Sequence, residues 1–396
     1  GCTYVTLTLP CITEWALTWL GIMLLLLLRG RALGEKSQKQ GKFMFLDQLR
    51  PTLLLTGATA ALAASYLLWR RRRPNVEVEE PFPMLPITSK ATVEKMLTLP
   101  LRATDIFVCS HPKSGTTWMQ HVVHTLATNG ESPLPHVSDA CPFYEADCSW
   151  EPRMEPVLAA AVRGKHEQIK RRIFNTHCRW EMMPKGSVDA RYIYMVRRPH
   201  DACVSFFHHL AHQSEADGGF LGTFDEFVEQ WTGGAMYFGT WSAHLRSWLG
   251  ADGESAAAAD PRVLVLAYEE MKRNLRSCVL RVNAHCRFGL SEARVDELLP
   301  RFSFEWMRAH EEQFEPRSVK WVQSPHAASM ETSAGGAATP AVDSEGDGRF
   351  HFVRAGRVGD GVHAFASSKR RAALDAMVRR TFPAGAPEYV RELLPE

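Results

Sequence analysis

Apolar residues first appear as two long, nearly unbroken runs, Trp15 to Leu28 ("WALTWLGIMLLLLL") and Thr52 to Trp69 ("TLLLTGATAALAASYLLW"). The second approaches the ~20 residues that a bilayer crossing needs, and four arginines, Arg70 to Arg73, follow it. It predicts a membrane span over 52–69. The first run reads as a signal-peptide core or translated upstream sequence, and the opening glycine points to a missing or processed start. A charged, proline-rich stretch then predicts a linker over 74–88, with residues 1–73 as the anchor region and one domain over 89–396.

Past the linker the pattern changes to short apolar blocks alternating with longer periodic ones. "DIFVCS" (105–110), "RIFNTH" (172–177), "RYIYMV" (191–196) and "RVLVLAY" (262–268) are short, apolar and rich in β-branched or aromatic residues, so they predict strands. Helices are predicted over 118–128, 201–212, 224–231, 237–249 and 269–285. Continuously apolar strands separated by helices imply a parallel sheet covered on both faces. The expected fold is therefore α/β, a P-loop-like three-layer domain with a central parallel sheet flanked by helices, preceded by the N-terminal membrane segment. Two stretches read as loops, 212–223 and the Ala/Gly/Ser-rich 330–348; these are solvated insertions or lids.

With 45% hydrophobic residues the chain can fill a sizeable core, and a net charge of +2 gives no global field to attract nucleic acid. Nine cysteines lie scattered without the paired spacing of a zinc site. With the absence of any Asn-x-Ser/Thr sequon, they suggest reduced thiols and a catalytic domain on the cytosolic side of a membrane. The arginine cluster after the span agrees. The Golgi lumen is the alternative.

Chemistry concentrates in three turns. "HPKSGTTWMQ" (111–120) lies between a strand and a helix, where backbone N–H groups and a positive helix end converge on an anion. Lys113 adds charge, Gly115 permits close approach, and Ser114, Thr116 and Thr117 add donors. It lacks the Gly-Lys-Ser/Thr ending of a Walker A loop. "YIYMVRRPHDACVSFFHH" places Arg197 at a strand end and Ser205 in the following helix, where both could reach a second phosphate, and "FVRAGRVGD" offers Arg354 and Gly356 in a third turn, available for a charge-assisted clamp.

These motifs together resemble the cytosolic-type sulfotransferases that use 3′-phosphoadenosine 5′-phosphosulfate (PAPS), over roughly residues 85–385. "PKSGTTW" is similar to that family's 5′-phosphosulfate loop, and "VLAYEEMKRN" and "YFGTWSAHLRSWL" have counterparts there. The resemblance implies that Lys113 to Thr117 hold the phosphosulfate and that Trp118 and Tyr268 bind adenine. Arg197, Ser205, Arg354 and Gly356 would surround the 3′-phosphate. His177, in "RRIFNTHCRW", would be the general base, Lys113 would neutralise the leaving phosphate, and Ser205 would hold Lys113 back until an acceptor arrives. PAPS would be the co-substrate, adenosine 3′,5′-bisphosphate the product, and no metal would be required.

The chain also departs from that pattern. Asn175 stands in place of lysine in Lys-Thr-His, and Ala355 in place of lysine in Arg-Lys-Gly. Phe302 and Ser303 replace a Thr-Ser pair before Phe304, and Gly361 replaces a tryptophan. The segment 362–371 lacks the family's dimer motif, which leaves homodimerisation in doubt. Apolar residues of 140–150, among them Phe143, Tyr144 and Trp150, and the 212–223 loop are candidates to line a pocket for a hydrophobic alcohol, phenol, amine or lipid. Two rival readings stay open: a P-loop kinase, which would need magnesium, and a membrane-tethered nucleotide-binding pseudoenzyme.

Overall fold

A computed structural model describes residues 82–134, 136–250, 257–323 and 350–394. The membrane span expected over 52–69 and the insertion expected over 330–348 lie outside these residues. Among the described residues no helix is long and apolar enough to cross a membrane.

Four parallel strands, β1 (Asp105–Ser110), β2 (Arg172–Thr176), β3 (Arg191–Val196) and β4 (Val263–Ala267), form one sheet in the order β2-β1-β3-β4. Each matches a block expected to be a strand to within one residue at either end. The apolar runs are explained by two cores, one on each face. Phe107, Cys109, Phe174, Tyr192 and Tyr194 point to one, while Ile106, Val108, Ile173, Ile193 and Met195 point to the other. Alternate side chains of a strand face opposite ways, so a strand covered on both sides must be apolar throughout. At the start of the β1–β2 ladder, Asp105 faces Arg172 in register. The guanidinium grips the buried carboxylate with two nitrogens, Nε at 2.6 Å from Oδ1 and Nη2 on Oδ2.

Helices cover both faces. On one side lie α2 (Thr116–Ala127), α9 (Leu275–His285) and α10 (Glu292–Leu298). On the other lie α5 (Pro199–Ala211), α6 (Phe224–Gly233), α7 (Trp241–Leu249) and α12 (Ser368–Thr381). The shorter or peripheral helices are α1 (Lys90–Thr98), α3 (Val137–Ala140), α4 (Ala160–Gln168), α8 (Tyr268–Arg273), α11 (Phe304–Ala309) and α13 (Glu388–Arg391).

Three expectations are corrected. The helix expected over 269–285 is two, α8 and α9, because Asn274 leaves helical geometry and its side chain accepts from Ser277 N at 3.3 Å to cap the second. The helix expected from Tyr237 begins only at Trp241. Before it the backbone turns through positive φ at Phe238 and Gly239 (both 68°). The 212–223 loop is not a free insertion: Ser214 N donates to Lys320 O at 2.8 Å, and Phe220 packs edge-on against Phe207 and Phe227.

Residues 82–88, inside the stretch read as linker, pack on the domain. Phe238 N donates to Pro83 O at 2.8 Å, and Phe82 stands edge-on to the Phe238 ring.

Candidate active site

The carboxyl ends of β1, β2 and β3 open into one cavity of about 280 Å³, where ligands of an open parallel sheet bind. Lys113, Gly115, Thr116, Thr117, Trp118, His177, Arg197, Ser205, Tyr268, Arg354 and Gly356 all line it. Ser114 is the one expected site residue whose side chain is withdrawn from the lining. It is 1% exposed, and its Oγ has no hydrogen-bond partner among the described residues.

The first turn is shaped by backbone geometry. Lys113 has φ 63° and Gly115 φ 100°, with Gly115 at the N-cap of α2. A Cβ at Gly115 would sit 2.9 Å from Tyr268 Cδ2, in a conformation that side chains avoid. The turn therefore closes tightly around the start of α2, where its unpaired N–H groups face the cavity.

The second turn is built onto the first. Arg197 Nη1 donates to Lys113 O at 2.9 Å, its guanidinium lies 4.4 Å from the Tyr268 ring centroid, and its buried Nε has no partner. The third turn is pinned by Asp201 on α5, which accepts from Gly359 N at 2.8 Å and Gly361 N at 2.7 Å. Gly361 has no room for the tryptophan of the related pattern: a Cβ there would lie 2.4 Å from His200 O. Arg354 pairs with Asp360, and Gly356 (φ 58°) lies against Phe304, whose Cδ2 would be 2.3 Å from an added Cβ.

Trp118, Tyr268 and Phe304 form an aromatic wall at one end. Trp118 donates from Nε1 to Phe302 O at 2.8 Å and meets Tyr268 edge-on at 5.6 Å. Phe302 itself is fully buried in the core, and Ser303 caps α11 by accepting from Trp306 N. The substituted pair thus serves packing and capping.

At the other end stands His177. Its Nδ1 lies 2.8 Å from Ser110 O, so the ring donates there and keeps Nε2 unprotonated. Burial holds its pKa down to about 4, against the Ser110 bond, and the Lys113 charge adds to the lowering. Beneath it the buried Glu145 accepts from His177 N and from Thr176 Oγ1 at 2.9 Å, which fixes the turn after β2. Desolvation raises Glu145 to about 7, against those hydrogen bonds. Phe143 and Phe238 flank the imidazole with ring centroids at 5.6 and 5.1 Å.

Lys113 Nζ reaches His209 Nδ1 at 3.4 Å and the Phe352 ring at 4.4 Å. Among the described residues no hydrogen bond joins it to Ser205. Burial, then the charges of Arg197 and Arg354, lower Lys113 to about 7. His209, Phe238 and Phe352 are the residues that sequence reasoning missed. His209 follows the Ser205 motif directly, and Phe238 sits in "YFGTW", so the signal was proximity to recognised motifs.

Of the residues suggested for the acceptor side, Phe143 lines the cavity, as does Gln213 from the 212–223 loop. Tyr144 and Trp150 belong to the core instead, each with its polar atom bonded to a backbone carbonyl. Asn175 lines the cavity with its buried Oδ1 unpartnered. All seven cysteines of the described residues are free thiols. No cluster of three metal-ligating side chains occurs among the described residues.

The family model described as "Sulfotransferase domain" matches residues 103–337. The chain is 28% identical over 223 residues to an amine sulfotransferase of Oryctolagus cuniculus, covering 54% of this chain and 67% of that protein. It is 30% identical over 212 residues to sulfotransferase 1E1 of Homo sapiens, covering 52% and 67%. Mouse sulfotransferase SULT7A1 complexed with PAP superposes with a TM-score of 0.51 at 22% identity, covering 78% of this chain and 94% of that chain. Retinol dehydratase in complex with androsterone and inactive cofactor PAP gives 0.53 at 19%, covering 72% and 83%. At these identities the two structures establish a shared fold.

Proposed function

This chain belongs to the sulfotransferase domain family, and from that premise we propose how its pocket divides the work. The enzyme transfers a sulfuryl group from PAPS to a hydroxyl or amine acceptor.

The residues present fit a nucleotide phosphorylated at both ends. Arg197 Nε is a buried donor on the cavity without a partner among the described residues, which costs free energy unless a ligand oxygen arrives. Gly115 leaves space that any side chain would fill. Lys113, Ser114, Gly115, Thr116 and Thr117 would hold the phosphosulfate; Arg197, Ser205, Arg354 and Gly356 the 3′-phosphate; Trp118 and Tyr268 the adenine. Bound PAPS supplies an electrophilic sulfur and a phosphate leaving group.

His177 Nε2 takes the proton of the acceptor hydroxyl or amine as it attacks. Lys113 donates to the developing charge on the leaving oxygen, and the N–H groups at the start of α2 share that charge. Glu145 and Ser110 keep the imidazole in the required tautomer and position. The observation that carries this assignment is the Arg197 bond to the Lys113 carbonyl, which makes the two phosphate sites one structure.

We assign a small, hydrophobic acceptor to the end of the cavity around His177. Leu85, Ile87, Phe143, Leu210 and Phe238 line it, and an apolar body gains about 25 cal/mol for each Å² removed from water. The membrane span expected over 52–69 is a reason to include lipid-like alcohols among the acceptors tested.

Family membership disfavours the kinase reading, and the turn lacks the Gly-Lys-Ser/Thr ending that such chemistry uses. Against the pseudoenzyme reading stand His177 and Lys113, retained on one cavity despite Asn175 and Ala355. The test is transfer of labelled sulfate from PAPS to hydrophobic alcohols, phenols and amines, with a chelator added. Calorimetric titration with adenosine 3′,5′-bisphosphate runs alongside. Binding without transfer to any acceptor would restore the pseudoenzyme.

A further inference from the structure

Two histidines line the cavity, and their partners put them in opposite tautomers. His177 donates from Nδ1 to a backbone carbonyl, so its Nε2 can only accept. His209 meets Lys113 Nζ through Nδ1, and while Lys113 is protonated it can only donate, so in that state His209 carries its proton on Nε2. Among the described residues that Nε2–H makes no hydrogen bond, and it is not among the fully buried unpartnered atoms. It is a donor open to the cavity. Trp321 and Phe352 hold the ring edge-on at 5.2 and 5.9 Å, so the donor is held in a fixed direction. Burial keeps both imidazoles neutral, and the nearby Lys113 charge disfavours the protonation of each.

We propose that His209 is a specificity-determining residue, whose Nε2–H selects acceptors carrying a carbonyl, ether or second hydroxyl oxygen in addition to the group that is sulfated. His177 then accepts from the reacting hydroxyl or amine and His209 donates to a second oxygen, in a cavity that Phe143, Leu210 and Phe238 line together with Asn175 and Gln213. A substrate lacking that oxygen leaves a desolvated N–H unpaired, which costs more than a lost contact. The substrate class is therefore an apolar alcohol, phenol or amine with one further oxygen. This inference rests on the sulfotransferase reading and narrows it.

The test compares kcat/KM for 4-acetylbenzyl alcohol and 4-ethylbenzyl alcohol, with their 2- and 3-isomers, using PAPS as donor. The members of each pair share a carbon skeleton and differ in one carbonyl oxygen. The wild-type enzyme should favour the acetyl member of at least one pair by roughly tenfold, the worth of one net hydrogen bond. His209→Phe should bring that ratio close to one, and His209→Gln, which keeps an N–H donor, should restore part of it. Each ratio is taken within one preparation, so partial misfolding cancels. No preference in the wild type, or a preference that survives His209→Phe, would overturn the proposal. Absence of sulfate transfer to every compound would instead remove the sulfotransferase reading beneath it.

Discussion

Arg197 donates from Nη1 to the carbonyl oxygen of Lys113 at 2.9 Å, so the residue expected to read one phosphate also braces the loop expected to hold the other. The same guanidinium lies over Tyr268. Removing it should therefore do more than delete one ionic contact.

Arg197→Ala should weaken binding of adenosine 3′,5′-bisphosphate by 10²-fold or more, as expected for loss of a charge-assisted contact and a loop brace together. Arg197→Lys should recover little, because a point charge cannot serve both partners. Titration calorimetry reads both, and a loss below threefold for the alanine variant would separate Arg197 from the nucleotide.

His177→Ala should lower kcat by about 10³-fold, within the range for a removed general base, with the nucleotide affinity changed less than threefold. Single-turnover sulfate transfer and the same calorimetry separate the two effects. Equal loss in both would assign His177 to the scaffold.

Two limbs of the pH profile follow from burial. His177 is held near 4, so the base is already free at pH 5.5, and activity should not fall through the ordinary histidine range near 6.5. Lys113, lowered to about 7 in the free pocket, is protonated below that value and loses its charge above it. Affinity for the bisphosphate should accordingly fall as pH rises through 7, and binding at pH 8 should take up protons. Calorimetry in buffers of different ionisation enthalpy detects the uptake; an unchanged heat would contradict it.

Gly115→Ala should be costly twice over, through a left-handed backbone (φ 100°) and a 2.9 Å approach to Tyr268. A loss of about 1–3 kcal/mol in stability is expected, together with weaker nucleotide binding as Tyr268 is displaced. Gly164→Ala, on an open helix face, is the control that should lose nothing. Denaturant melts with and without bisphosphate report both variants.

The central sheet was legible because a strand buried on both faces is apolar at every position, and the four blocks beginning at Asp105, Arg172, Arg191 and Arg262 are the clearest such runs past the linker. Element ends were less legible where side chains decide them. Asn274 splits one apparent helix by capping, and the Phe238–Gly239 turn takes a positive φ that no periodicity signals. The residues expected to hold phosphate were carried by local motifs, and all of them but Ser114 line one cavity. The cavity around His177 was less legible: Phe143 was a candidate from the sequence, but Leu85, His209 and Phe352 are remote in sequence with no spacing rule among them. His209 was hidden for a further reason: its significance depends on the Lys113 conformation rather than on its own neighbours.

Trp321 stacks on Phe350 with centroids 4.6 Å apart, and Val322 N is bonded to His212 O. Chain entering and leaving the 324–349 stretch is thereby stapled at a single point beside the pocket. The turn that carries Arg354 is therefore moored from two directions, through Phe350 on one side and through the Asp201 bonds to Gly359 and Gly361 on the other.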